Sequence, residues 1–275
     1  MLGYDGFKDI VLNIDEMTDF YDDLHSNKFG CLENEYAIIR DEYGDAKDYF
    51  KWTGSEFESV RFTTIRNDFL GVIKPRNPQQ IIALDMLLNQ QTTVKLLSGR
   101  FGTGKDYLMI GAAFDLIAKG MYDRIVYVRN NIEVKNTRSL GALPGEVNSK
   151  MLPFAMPLVD HVGGIDGLDY LLKKELVEIV HLGFIRGRDI KKSIIYCTEA
   201  ENLTKEHVQL LLGRVGMGSA LWLNGDTKQI DDKVFEKDNG LSTAIDKLKG
   251  HPRFGYVKLI KTERSETAAM ADLLD

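Results

Sequence analysis

The stretch Thr93-Val94-Lys95-Leu96-Leu97-Ser98-Gly99-Arg100-Phe101-Gly102-Thr103-Gly104-Lys105-Asp106-Tyr107 decides how this chain is read. Residues 93–97 form a short, mainly apolar run of strand type, and from Tyr107 to Lys119 apolar residues recur at helical spacing. Between them Gly99, Gly104 and Lys105 stand at the spacing G-x-x-x-x-G-K. Glycines let a backbone turn its amides inward around a phosphate. The helix N-terminus adds partial positive charge, and a lysine can reach the outer phosphates. A glycine-rich turn with an incidental lysine would satisfy the same three positions, but the strand before and the helix after favour a phosphate cradle. The cradle comprises Gly99, Phe101, Gly102, Thr103, Gly104, Lys105 and the following Asp106.

Working outward, strands are expected at 124–128, 178–180, 193–197, 220–224 and 256–259, and helices near 166–174, 205–212 and 241–248. Continuous apolar strands alternating with helices imply a mostly parallel sheet sandwiched by helices, an α/β fold of the P-loop nucleoside triphosphatase class. Residues 1–70 differ. They are acidic and aromatic, with short alternating runs such as 35–40 and 49–52, and read as a small β-rich N-terminal module. Pro75 and Pro78 interrupt regular structure before an amphipathic run at 81–88, which places the boundary near residue 71 and the P-loop domain at 71–275.

Bulk properties narrow the classes. A hydrophobic share of 44% with 28% charged residues is that of an ordinary globular protein. No apolar run approaches the ~20 residues that cross a bilayer, and residues 1–5 lack a signal-peptide pattern, so no membrane partner and a cytoplasmic location are expected. Cys31 and Cys197 are expected as reduced thiols, and five scattered histidines show no zinc spacing. The net charge of −6 argues against coating nucleic acid by bulk electrostatics, so any such contact must be local.

The eighth loop position, ordinarily Ser or Thr for Mg²⁺, is Asp106, and the strand that ordinarily ends in a metal-holding Asp ends here in Thr198. Two readings stand. Carboxylate and hydroxyl are exchanged, Asp106 and Thr198 together still holding the metal; or the site is degenerate and binds nucleotide weakly or without turnover.

Further segments resemble the PhoH-like ATPases, whose core is similar to that of superfamily 1 helicases. They are Lys74-Pro75-Arg76-Asn77-Pro78-Gln79-Gln80, the loop, 126–129, Gly141-Ala142-Leu143-Pro144-Gly145, Phe184-Ile185-Arg186-Gly187-Arg188, Thr198-Glu199-Ala200-Glu201-Asn202, Gly225-Asp226-Thr227-Lys228-Gln229-Ile230-Asp231 and Thr262-Glu263-Arg264-Ser265. The resemblance spans about 71–275 and implies ATP and Mg²⁺ as cofactors. It implies Asn77 and Gln80 as base contacts and Glu199 as the carboxylate that orients or deprotonates water. Asp226 and Gln229 would sense the γ-phosphate and that water, with Lys105 on the phosphates. Arg264 is the first candidate for an arginine finger; Arg129, Arg186 and Arg188 rank below it. Glu201 stands where the family carries Gln. The resemblance also implies a homo-oligomer, a hexameric ring being the natural candidate, and RNA or single-stranded DNA as partner. Some members carry a nuclease-type PIN domain ahead of such a module. No nuclease site is expected here, and the sequence fits a naturally short form or a truncated one alike.

Three functions follow: an ATPase coupling hydrolysis to RNA or single-stranded DNA, a nucleotide-binding assembly module that does not hydrolyse, and, least supported, a small-molecule kinase. A kinase would need an arginine-bearing lid segment, which the sequence does not offer.

Overall fold

A computed structural model describes residues 3–129, 155–227 and 239–263. Its centre is a six-stranded sheet built from β7 (Val94–Gly99), β8 (Arg124–Arg129), β9 (Val177–His181), β10 (Ser193–Thr198), β11 (Ala220–Gly225) and β12 (Phe254–Leu259). The order is β12-β7-β11-β10-β8-β9, with every neighbouring pair parallel. All strand C-termini therefore share one rim, where open α/β sheets place their ligands.

Side chains alternate between two buried layers, as the period of two requires. Leu97, Ile125, Tyr127, Ile194, Tyr196, Ala220 and Trp222 face one core with α2 (Pro78–Leu88), α3 (Lys105–Ala118) and α4 (Gly164–Lys173). Leu96, Val126, Val128, Ile195, Cys197, Leu221 and Leu223 face the other with α5 (Lys205–Leu212) and α6 (Gly240–Leu248). Burial on both faces explains why these strands read as continuous apolar runs. None of the helices among the described residues is long and apolar enough to cross a membrane.

The N-terminal part is a four-stranded mixed sheet, β1 (Phe7–Val11), β2 (Tyr36–Arg40), β3 (Ala46–Trp52) and β4 (Phe57–Ser59) in that order. It carries α1 (Ile14–Asp22), a helix absent from the sequence reading but marked by a capping box between Asn13 and Glu16. Phe20 of α1 packs on Phe50, Phe57 and Phe29 in a core of its own. The opposite face is not independent: Phe7, Tyr36 and Ile38 belong to the large core, and the Tyr36 hydroxyl donates to Asp85 at 2.8 Å. Gly6, at φ 80°, lies so close to the Tyr256 carbonyl that a Cβ would collide with it. A hairpin of β5 (Ile65–Asn67) and β6 (Gly71–Ile73) straddles the boundary placed near residue 71, so regular structure runs across it. Cys31 and Cys197 are both buried and free.

Candidate functional site

Gly99 ends β7 with its Cα against β12; a Cβ there would come within 2.5 Å of the Leu259 carbonyl. Gly102 and Gly104 take φ of 77° and 89°, and Gly104 is the N-cap of α3. These left-handed positions are why glycine is needed, and they start the helix at Lys105, two residues earlier than its apolar periodicity indicates. The Thr103 hydroxyl donates to the Arg100 carbonyl at 2.8 Å, and Lys105 Nζ donates to the carbonyls of Gly99 and Arg100 at 2.5 and 3.0 Å. The lysine thus lies folded along the loop, over the hollow that a phosphate would fill.

The loop opens on a cleft of about 550 Å³ whose lining includes Lys74, Arg76, Gln80, Phe101, Gly102, Gly104, Lys105, Asp106, His161, Thr198, Glu199, Glu201, Asn224, Asp226 and Glu263. Gly99, Thr103 and Asn77 stand behind this lining. Asn77 caps α2 by accepting from the Gln80 amide at 2.9 Å and donates to Glu263 at 2.7 Å. Gln80 is a strut: Nε2 donates to the Thr103 carbonyl at 3.0 Å while Oε1 accepts from the Arg76 amide at 2.9 Å. The Glu263 amide reaches the Gly102 carbonyl at 2.9 Å, so the segment after β12 docks on the loop. Of the two residues expected at the base, Gln80 lines the cleft and braces the loop, and Asn77 stands behind it.

Three other strand ends complete the cleft. Glu199, at φ 53° just beyond β10, is gripped by Arg129 from the end of β8, Nε lying 3.2 Å from Oε2 and the Nη2–Oε1 contact closer still. Glu201, in the 3₁₀ turn that follows, is buried and accepts from the Asp226 amide at 3.1 Å, joining the ends of β10 and β11. Burial, opposed by that hydrogen bond and by Lys105, pushes its carboxyl up to about 7. Asn239 fastens the turn by donating to the Glu201 carbonyl at 2.9 Å. Asp226, like Glu201, is buried at the cleft wall.

The Asp106 carboxylate, in the first turn of α3, drops onto the sheet. Its Oδ1 accepts from the Tyr196 hydroxyl at 2.5 Å and from Asn224 Nδ2 at 2.6 Å, and Asn224 Nδ2 also reaches the Tyr196 oxygen at 2.8 Å. Burial holds the Tyr196 hydroxyl well above its ordinary range, so it stays a donor. Thr198 is the next residue on the same face of β10, about 7 Å beyond Tyr196 at strand rise. Asp106 and Thr198 share the cleft, but the hydrogen bonds of Asp106 go to Tyr196 and Asn224. Neither partner stood out in sequence; the signal was a polar group inside each apolar strand. Arg186 is exposed beyond β9, and Arg188 pairs with Glu178 at 2.8 Å, both outside the cleft lining. Gln229, Arg264 and Gly141–Gly145 lie outside the described residues.

The model of the family described as "PhoH-like protein" matches residues 72–272. The chain belongs to the PhoH family. The protein named PhoH2 of Bacillus subtilis is 32% identical over 293 residues, covering 98% of this chain and 64% of the relative. PhoH2 of Mycolicibacterium smegmatis is 33% identical over 72% of this chain and 46% of its own length, and a PhoH-like protein of Bacillus subtilis 31% identical over 64% and 56%. The chain thus spans about half to two thirds of these relatives. Family and geometry agree on a P-loop nucleotide-binding fold, and in this PhoH-family chain the cleft is lined by Asp106 on the loop helix and Thr198 at the end of β10.

Proposed function

We propose that this chain binds ATP with Mg²⁺ in the cleft at the strand C-termini, hydrolyses it, and couples hydrolysis to RNA or single-stranded DNA. One observation carries the reading: the loop after β7, Glu199 after β10 and Asp226 after β11 converge on a single cleft, although 120 residues separate the first from the last. Phosphates would enter at the N-terminus of α3 and draw Lys105 off the loop carbonyls. Five carboxyl side chains (Asp106, Glu199, Glu201, Asp226, Glu263) outnumber the three lysine and arginine side chains (Lys74, Arg76, Lys105) in the cleft lining, so a divalent cation would help a triphosphate to enter. The oxygens of Asp106 and Thr198 are hard donors suited to Mg²⁺, which takes one or two protein ligands and completes its shell with phosphate and water. Mg²⁺ would neutralise charge on the transferring phosphoryl group. Glu199, at the cleft wall, would orient attacking water once Arg129 releases it.

The test is phosphate release from ATP with Mg²⁺, with and without single-stranded RNA or DNA. Basal turnover without stimulation removes the nucleic-acid coupling and leaves the ATPase. The grip of Arg129 on Glu199 favours a second reading, a nucleotide-binding assembly module without turnover; ATP binding with no phosphate release under any condition would select it. Self-association into a homo-oligomer belongs to both readings. Light scattering showing a monomer at all concentrations, with and without ATP, removes it.

A further inference from the structure

Asp106 departs from the usual hydroxyl of a phosphate loop, and its surroundings depart with it. The side chain bridges α3 to two neighbouring strands, and its Oδ1 is saturated by two donors, Tyr196 and Asn224, each only 2% exposed. The donors are themselves linked, because Asn224 Nδ2 donates to the Tyr196 oxygen at 2.8 Å while the Tyr196 hydroxyl donates to Asp106. Two planar groups and one carboxylate in a closed triangle leave little freedom in χ1 or χ2 of Asp106. Among the described residues Oδ2 has no hydrogen-bond partner, and the residue lines the cleft beside Lys105 and Thr198. An aspartate hanging freely from α3 would pair with Lys105 or turn into the phosphate hollow. A held one presents a single oxygen in a fixed direction.

We infer that Tyr196 and Asn224 are positioning residues for the nucleotide's divalent metal, fixing Asp106 by one carboxylate oxygen so that the other is offered to the cation. The inference rests on the proposed nucleotide-binding reading and deepens it. It changes the account of the altered loop: the compensation for Asp106 is not Thr198 alone but a set spread over α3, β10 and β11. The chemistry is that of an outer shell, in which hydrogen-bonded partners orient a ligating carboxylate and their loss weakens metal binding about 10- to 100-fold.

The test avoids turnover. The affinity of the full chain for a fluorescent ADP analogue is measured in EDTA and in Mg²⁺, with direct counting of bound Mn²⁺ by electron paramagnetic resonance in the presence of ADP. In the wild type Mg²⁺ should tighten ADP binding. Tyr196→Phe and Asn224→Ser should each cut that gain, and Mn²⁺ affinity, about 10- to 100-fold, with Tyr196→Phe, which lies outside the cleft lining, leaving the affinity in EDTA within about twofold. Asp106→Ala should lose the gain as well, and adding Tyr196→Phe to it should change nothing further, because the two act through one carboxylate. Tyr196→Phe removes a single hydroxyl, and its melting temperature checks that the chain still folds. A general packing role would shift affinity in EDTA and in Mg²⁺ alike, and would add to Asp106→Ala. That result overturns the inference, as does full Mg²⁺ dependence in both single variants. A wild type that binds ADP without any Mg²⁺ effect overturns the inference together with the metal assignment. Failure to bind ADP at all removes the nucleotide-binding reading too.

Discussion

The two rims of the six-stranded sheet both bury charge, and they use it in opposite ways. At the C-terminal rim five carboxyl side chains and Lys105 surround a cleft open to solvent. Near the N-terminal rim Lys95 is fully buried, its ammonium 2.5 Å from the Leu87 carbonyl in the last turn of α2 and 5.1 Å from the Trp222 ring centre. Burial drives its ammonium down to about 7, and burial likewise raises the neighbouring Asp85 carboxyl, which the Tyr36 hydroxyl holds. Desolvation outweighs attraction in that pair. A lysine at one rim seals the end of a helix; at the other it lies along the loop carbonyls at the wall of a cleft. Strand polarity makes the difference, because helix N-termini and their unsatisfied amides gather only at the C-terminal rim.

The comparison can be broken first at Lys95. Unfolded, its amine takes up a proton below about 10.5, whereas folded it does so only below about 7. Stability should therefore rise with pH between those values, by about 5 kcal/mol from this group at full shift. Lys95→Met should abolish that rise and be most favourable relative to wild type below pH 7, less about 1–3 kcal/mol for the Leu87 carbonyl left without a donor. Denaturant unfolding of both proteins at pH 6 and 9.5 measures it, with ATP affinity expected unchanged.

At the opposite rim Lys105→Ala should cost turnover about 10²–10³-fold while barely moving the melting temperature. A loss of stability with retained turnover would erase the functional difference between the rims. Glu201 sharpens the contrast, because here a buried charge carries a stability cost inside the cleft. Its carboxyl keeps its proton up to about 7 when folded but releases it near 4.5 when unfolded. Its contribution is then complete below 4.5 and is lost as pH rises through 7, a fall of about 3 kcal/mol. Glu201→Gln should remove the fall, so the melting-temperature gap between variant and wild type should widen from pH 5 to pH 8. The smallest effect expected is that of Tyr36→Phe, about 1 kcal/mol for the bond to Asp85, read by denaturation and without change in nucleotide affinity.

Much of this was legible in advance. The strands at 94–99, 124–129, 193–198 and 220–225 lie within one or two residues of their expected bounds, since a strand buried on both faces announces itself as an apolar run. The convergence of Lys105, Glu199 and Asp226 followed from parallel strands ending on one rim. Less legible was α1, whose acidic sequence hides a helix held on its buried side by Phe20 with the partly buried Met17. The hairpin across residue 71 was also hidden, because Pro75 and Pro78 drew attention to a break that lies after it.

The sequence by itself determined the phosphate loop, the parallel α/β sheet and the family, because glycine conformation, helix polarity and strand burial act over a few neighbouring residues. It also showed that Asp106 and Thr198 were unusual. Only the tertiary structure decided what Asp106 touches, by inserting β11 between β7 and β10 and so setting Asn224 beside Tyr196. It likewise joined Arg129 to Glu199 across the ends of β8 and β10. Strand order is settled by packing of whole layers, and no local pattern in either strand records which neighbour it will meet.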